Sequence, residues 1–175
     1  MRLIHKNQKG FTLIELLIVV AIFAVVAVAA NAVIGQIVQS NRTSNHMVAL
    51  RQVQQAGYRV SQDGVQARNI TNSTGDGGFP LTLNWTTWEG GELHTVVYDL
   101  IWSGELYQLQ RNETVGTNSP TTAVVAQYIY LDTESPSSTK CSWNATERVL
   151  TFNVTARVGL QTESRTYEIK PRPSV

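Results

Sequence analysis

A single carboxylate, Glu15, is set into the run Phe11 to Asn31 (FTLIELLIVVAIFAVVAVAAN), which is otherwise almost wholly apolar. An acid at the centre of a membrane helix costs about 2.5–3.5 kcal/mol on insertion scales, so it needs a partner. The other groups able to bear chemistry are scattered. His5, His46 and His94 do not have the spacing of a metal cluster, and no glycine-rich phosphate loop is present. The chain is therefore expected to be no enzyme and to need no cofactor. Asp76, among glycines, would ligate calcium with help from Asp132 and Glu134, but these acids fall short of the six or more oxygens that Ca²⁺ takes, and a plain turn is the expectation. Trp85, Trp88, Trp102 and Trp143 would build a sugar-binding platform if they lay together. Trp85 and Trp102 instead read as core, the other two as loop cover. Cys141 is the only cysteine, so no disulfide closes within the chain. Burial is the expected state of its thiol.

Charge narrows the partners. Arg2, Lys6 and Lys9 precede the apolar run, and the remaining residues carry 11 basic and 13 acidic groups. Nucleic acid is not an expected partner, because a grip on phosphates shows as a basic face. The late cations Lys140, Arg148, Arg157, Arg165, Lys170 and Arg172 are interleaved with Glu147, Glu163 and Glu168.

These groups must be placed by elements that the pattern already suggests. Residues 11–34 would span about 36 Å as a helix, enough to cross a bilayer core. With positive charge ahead of the span and the next basic residue at Arg42, the leader is expected to stay cytoplasmic and the bulk to lie outside. After a polar stretch, Ser40 to Asn45, the residues Met47, Leu50, Val53, Gly57 and Val60 recur at three and four, one stripe of an amphipathic helix. One helix from about Phe11 to about Ala67 is expected. Its partner is a sheet of about five or six strands: one beginning at Leu81, Leu83 and Trp85; a hairpin of 94–101 and 105–111; a strand over 123–132; and a hairpin of 148–157 and 164–170 broken at Gly159. Residues 114–122 and 133–139 read as polar loops. The fold class is α+β, a long helix on an antiparallel sheet, in four parts: 1–10, 11–34, 35–68 and 69–175.

Ala27-Val28-Ala29 and Ala30-Asn31-Ala32 also look like sites where an ordinary signal peptidase cuts. On that reading a secreted domain begins at Ala30 or Val33 and binds sugars or surface ligands through its tryptophans. Such a signal has no need of a carboxylate, nor of a helix that continues.

Lys9-Gly10 followed by Phe11-Thr12-Leu13-Ile14-Glu15 and Leu16-Leu17-Ile18-Val19-Val20 resembles the class III signal of type IV pilins and type II secretion pseudopilins. The resemblance implies that a prepilin peptidase cuts between Gly10 and Phe11, methylates the new amine of Phe11 and leaves the apolar segment attached. It also implies that Glu15 of an incoming subunit pairs with the Phe11 amine of the subunit before it. That amine, titrating near 7.7 to 8.0 in solution, is largely cationic at neutral pH and favours the charged form of the acid. A pair within one chain, four residues apart, is equally open. The implied partners are other pilin or pseudopilin subunits, an inner-membrane assembly platform with its ATPase, and membrane lipid. The implied location is the inner membrane, then a periplasmic or cell-surface filament. Residues 60–70 resemble the point where the long helix of J-type minor pseudopilins and W-type minor pilins runs out into its first loop, which implies a minor subunit.

Asn41, Asn69, Asn72, Asn84, Asn112, Asn144 and Asn153 each begin an Asn-x-Thr sequon, an acceptor of glycan on an outward-facing domain. The favoured reading is a Thr-rich sheet. Asn84 with Thr86, or Asn153 with Thr155, would share the solvent face of a strand.

Overall fold

A computed structural model describes residues 11–87, 91–132, 135 and 138–172, with Asp76 by its backbone alone. The chain falls into two compact units, the first ending at Asn41 and the second beginning at Arg42. One helix, α1 (Leu13–Gln66), contributes to both. In the first unit every described residue is exposed. This stretch is apolar all round and has no side on which to hide, which is the pattern of a segment built for lipid or for like neighbours.

The second unit holds the rest of α1 and eight strands: β1 (Asn69–Asn72), β2 (Leu81–Thr86), β3 (Leu93–Trp102), β4 (Tyr107–Val115), β5 (Thr121–Ile129), β6 (Lys140–Asn144), β7 (Val149–Val158) and β8 (Gln161–Ile169). The sheet is antiparallel and ordered β1-β2-β3-β4-β5-β7-β6, with β8 on the other edge of β7. β5 meets β7 only at Ile129 and Ala156, with Tyr130 N–H donating to the Thr155 carbonyl at 2.8 Å. The sheet therefore curls at this seam. A bulge between β4 and β5 leaves Tyr128 at φ 59°, and the freed Gln127 N–H is donated to Gln52 Oε1 of α1 at 2.7 Å. The extra residue re-aims a backbone donor at the helix.

Strand count exceeds the expectation because β1 and β6 carry almost no apolar alternation. Each is short and buries only one residue, Ile70 or Cys141. Their place is set by pairing with β2 and β7. The expected loops are also shorter, since β4 runs to Val115 and β5 starts at Thr121. The helix ends at Gln66, and Asn69 and Ile70, the end of the stretch expected to run out into a first loop, open β1.

The buried face of α1 is Ala49, Val53, Ala56, Gly57, Val60, Asp63 and Gly64. Met47, expected on this stripe, is exposed. Small residues let the helix backbone come close to the sheet, and they are weak in any hydrophobic pattern. Tyr167 of β8 fills the space over Gly57, and Ile169 that over Gly64. Val53 and Val60 join Leu81, Leu83, Val96, Tyr98, Leu109, Ile129, Leu150 and Phe152 in one core. Cys141 is buried there, its Sγ 2.9 Å from the Gly78 carbonyl, and burial pushes its thiol pKa up to about 12.

Because a Cβ at position 57 would overlap the Tyr167 ring, Gly57→Ala is expected to lower stability by about 1–3 kcal/mol, the usual range for overpacking. Urea unfolding of the detergent-solubilised chain, followed by tryptophan fluorescence, checks this. An unchanged midpoint would mean that the helix does not lie this close to β8.

Candidate functional site

The first site is the head of α1. Thr12 precedes the first helical residue; its Oγ1 accepts from Glu15 N–H at 3.3 Å, while Glu15 Oε2 accepts from Thr12 N–H at 3.4 Å. This is a capping box, in which two helix-end donors that would otherwise lack partners are satisfied reciprocally. The acid that looked anomalous in an apolar run thus has a local partner in its own chain. Its charge also lies at the positive end of the helix dipole. The signal for it is Thr-x-x-Glu at positions 12–15, which is lost when Glu15 is considered without Thr12. Phe11, 79% exposed, stands just ahead of the cap. Gly10, the other residue of the expected cut, lies outside the described residues, as do Arg2, His5, Lys6 and Lys9.

A second cluster joins α1 to β3 and β4. Asp63 and Arg111 are 4% and 6% exposed. Arg111 Nε donates to Asp63 Oδ2 at 2.6 Å and Nη2 to Oδ1 at 3.3 Å, a fork-to-fork pair. Tyr98, directly opposite Arg111 across the β3–β4 ladder, donates its hydroxyl to the same Oδ2 at 2.6 Å. Arg111 Nη1 continues to Glu113 Oε2 at 2.7 Å, and Glu113 Oε1 meets His94 Nδ1 at 3.1 Å. His94 in turn stacks on Trp85, ring centroids 5.3 Å apart. Burial and the neighbouring Asp63 carboxylate raise the Tyr98 pKa, keeping its proton in place as donor. Burial works against the Arg111 charge, but bonds to Glu113 and Asp63 outweigh it and its pKa rises. The Arg111 hydrogen bond holds Glu113 below the ordinary carboxylate range. The cluster borders a cleft of about 280 Å³ that Arg59, Gln62 and Gln66 also line. Its charged groups are committed to one another, which is the arrangement of a structural clasp. Asp63 went unremarked in the sequence, although it stands three residues after Val60 on the apolar stripe.

The remaining candidates are dispersed. His46 pairs with Glu163 at 2.9 Å and His94 with Glu113 at 3.1 Å, two separate pairs. Asp132 accepts from the Tyr130 hydroxyl at 2.9 Å. Glu134 and the side chain of Asp76 lie outside the described residues. Among the described residues no group of three or more His, Cys, Asp or Glu side chains gathers as a metal site. Trp85 is buried and Trp143 packs at the core's edge, but Trp102, expected in the core, is 57% exposed and touches Tyr107 edge to face. It continues the inward face of β3 past the end of the core. Trp88 lies outside the described residues.

Of the sequon asparagines, Asn41, Asn69 and Asn144 are exposed, and Asn72, Asn84 and Asn112 are half-buried. Asn153 and Thr155, expected on a solvent face, are both buried. Asn153 Nδ2 donates to the Ser138 carbonyl at 2.9 Å, and its Oδ1 accepts from Ser164 and Thr166 hydroxyls. The cause is tertiary: Ser164 and Thr166 of the neighbouring β8 and the Ser138 carbonyl meet the Asn153 and Thr155 side chains, so partners from other parts of the chain cover this face of β7.

A capped apolar helix that continues into a sheet-bearing unit defines an α+β subunit of pilin-like architecture. Residues 5–31 match the family model for the prokaryotic N-terminal methylation motif, the class III signal of type IV pilins and pseudopilins. The motif supports a pilin- or pseudopilin-like subunit and fits single-pass anchorage in a membrane. No curated protein and no solved structure matches the chain.

Removing one partner of a buried ion pair strands the other charge. Arg111→Met is expected to destabilise the chain by about 3–5 kcal/mol, and adding Asp63→Asn should recover a large part of that loss. A double-mutant cycle by urea unfolding checks it; strictly additive losses would dissolve the clasp. Glu113 has a folded pKa below its unfolded one, so its contribution is present above the unfolded value and lost as pH falls through the folded value. Between about pH 6 and about pH 3 the wild type should therefore lose more stability than Glu113→Gln, and equal losses would contradict the depressed pKa.

Proposed function

We propose that this chain is a structural subunit, and a minor one, of a type IV pilus or type II secretion pseudopilus, and that it works by assembling. The observation that carries the reading is the methylation motif over residues 5–31 set on a helix whose apolar first unit is exposed all round. Such a surface requires lipid before assembly and like helices after it. In this reading a prepilin peptidase severs Gly10 from Phe11 and methylates the new amine. The span stays in the inner membrane and the sheet-bearing unit stands outside the cytoplasm. An assembly platform then lifts the subunit into the filament.

The capping box adds a physical step. Glu15 arrives already oriented, its Oε2 held by Thr12 N–H. The methylated amine of the preceding subunit supplies a full positive charge in surroundings of low dielectric, a far stronger partner than an amide, and draws the acid into register. Minor status is supported by the resemblance of residues 60–70 to minor subunits. It is also supported by the size of the eight-stranded sheet.

N-terminal sequencing and intact mass of the native protein test the reading together: a methylated Phe11 start is expected, and a start at Ala30 or Val33 would overturn it. Glu15→Val should still insert and lose its leader while incorporation into filaments drops by about tenfold or more, the scale on which losing a 1.4 kcal/mol interaction is felt. Normal incorporation at native expression would remove the pairing step.

A further inference from the structure

The hairpin between β7 and β8 turns in two residues, Gly159 and Leu160, because Val158 pairs with Gln161. Gly159 has φ 57°, as the first position of such a turn demands. The second position is ordinarily polar, and here it is leucine, 90% exposed. No other large apolar residue in the described chain is as open, those of the membrane-type helix included.

The place of the turn says what it meets. Gly159 lies against the side-chain amide of Asn45, and Glu163 is paired with His46. Farther along, Tyr167 faces Gly57 and Ile169 faces Gly64, so β8 runs in the same direction as α1. The turn that opens β8 therefore sits at the end of the second unit through which the chain enters it. Asn45 stands seven residues beyond Val38, where the apolar run ends. Seven residues are a short tether, about 25 Å at full extension, so the entry to the second unit stays near the bilayer that holds the span. Arg42, exposed, lies between the two and is suited to lipid phosphate.

We propose that the Gly159–Leu160 turn is a second, shallow membrane contact: while the subunit is anchored, Leu160 enters the interface between headgroups and acyl chains of the bilayer that holds the span. The inference rests on the anchored stage of the function proposed above. A single leucine would bind a vesicle poorly from solution. Tethered by a spanning helix it acts at high effective concentration, and a weak contact suffices to set the attitude of the sheet unit before assembly. Withdrawal of the turn would accompany departure of the subunit from the membrane.

The test uses the full chain reconstituted in vesicles of phosphatidylethanolamine with a minority of phosphatidylglycerol. Leu160→Cys, Glu105→Cys on the exposed β3–β4 turn and Val20→Cys in the span each receive an environment-sensitive maleimide dye. Cys141 is buried, so the unsubstituted chain supplies the labelling blank. With shallow nitroxide lipids, the label at 160 is expected to be quenched about twofold or more beyond the label at 105, with a blue-shifted emission. Equal quenching at 160 and 105, with the label at 20 strongly quenched, would overturn the inference and leave the anchor intact. Failure to quench at position 20 would overturn the anchor and this inference with it. A blue shift at 160 that appears only as protein crowds the vesicle, without lipid quenching, would reassign the turn to a neighbouring subunit and overturn the bilayer contact.

Discussion

A helix that is apolar on every side cannot be satisfied by its own chain, and much of this protein follows from that constraint. Residues 13–38 of α1 offer valine, leucine, isoleucine and alanine in all directions, so burial must come from lipid or from other copies of the same kind of surface. Only past Arg42 does the helix acquire a single buried face. One element is thus written for two solvents, and the change of pattern coincides with the division of the chain into two compact units.

The polar groups are placed where each solvent makes them affordable. At the head of the apolar stretch, Glu15 and Thr12 exchange hydrogen bonds across the first turn, so the acid completes the helix end while remaining open to a stronger cationic partner. In the second unit, Asp63 lies on the buried face and is met by both Arg111 and Tyr98. That cluster ties α1 to the β3–β4 ladder with directed bonds, where the small residues Ala49, Ala56, Gly57 and Gly64 supply closeness without specificity. Among the described residues no buried side-chain nitrogen or oxygen lacks a partner.

Legibility in the sequence followed the strength of local signals. The long helix, its apolar first part, the β3–β4 and β7–β8 hairpins and the role of Gly159 as a break all have short-range causes and are legible in the residues. β1 and β6 are not legible in the sequence, because NITN and KCSWN bury one residue each and are strands only by pairing with β2 and β7. Met47 fits the three-and-four recurrence yet lies outside the buried face, on which Ala49, Ala56 and Gly64, residues that hydrophobic patterning underweights, stand beside Val53 and Val60. Trp102, a large aromatic expected in the core, stands past the point on β3 where the core ends.

The sequence by itself determined the N-terminal motif, the anchor and the class of fold, because each depends on the order of residues within a few turns or strands. Tertiary structure alone decided that Asp63 would find Arg111, that Asn153 would be covered and that Leu160 would stand bare. Those outcomes depend on which surfaces the curl of the sheet brings together, and the distances involved exceed the reach of any local periodicity.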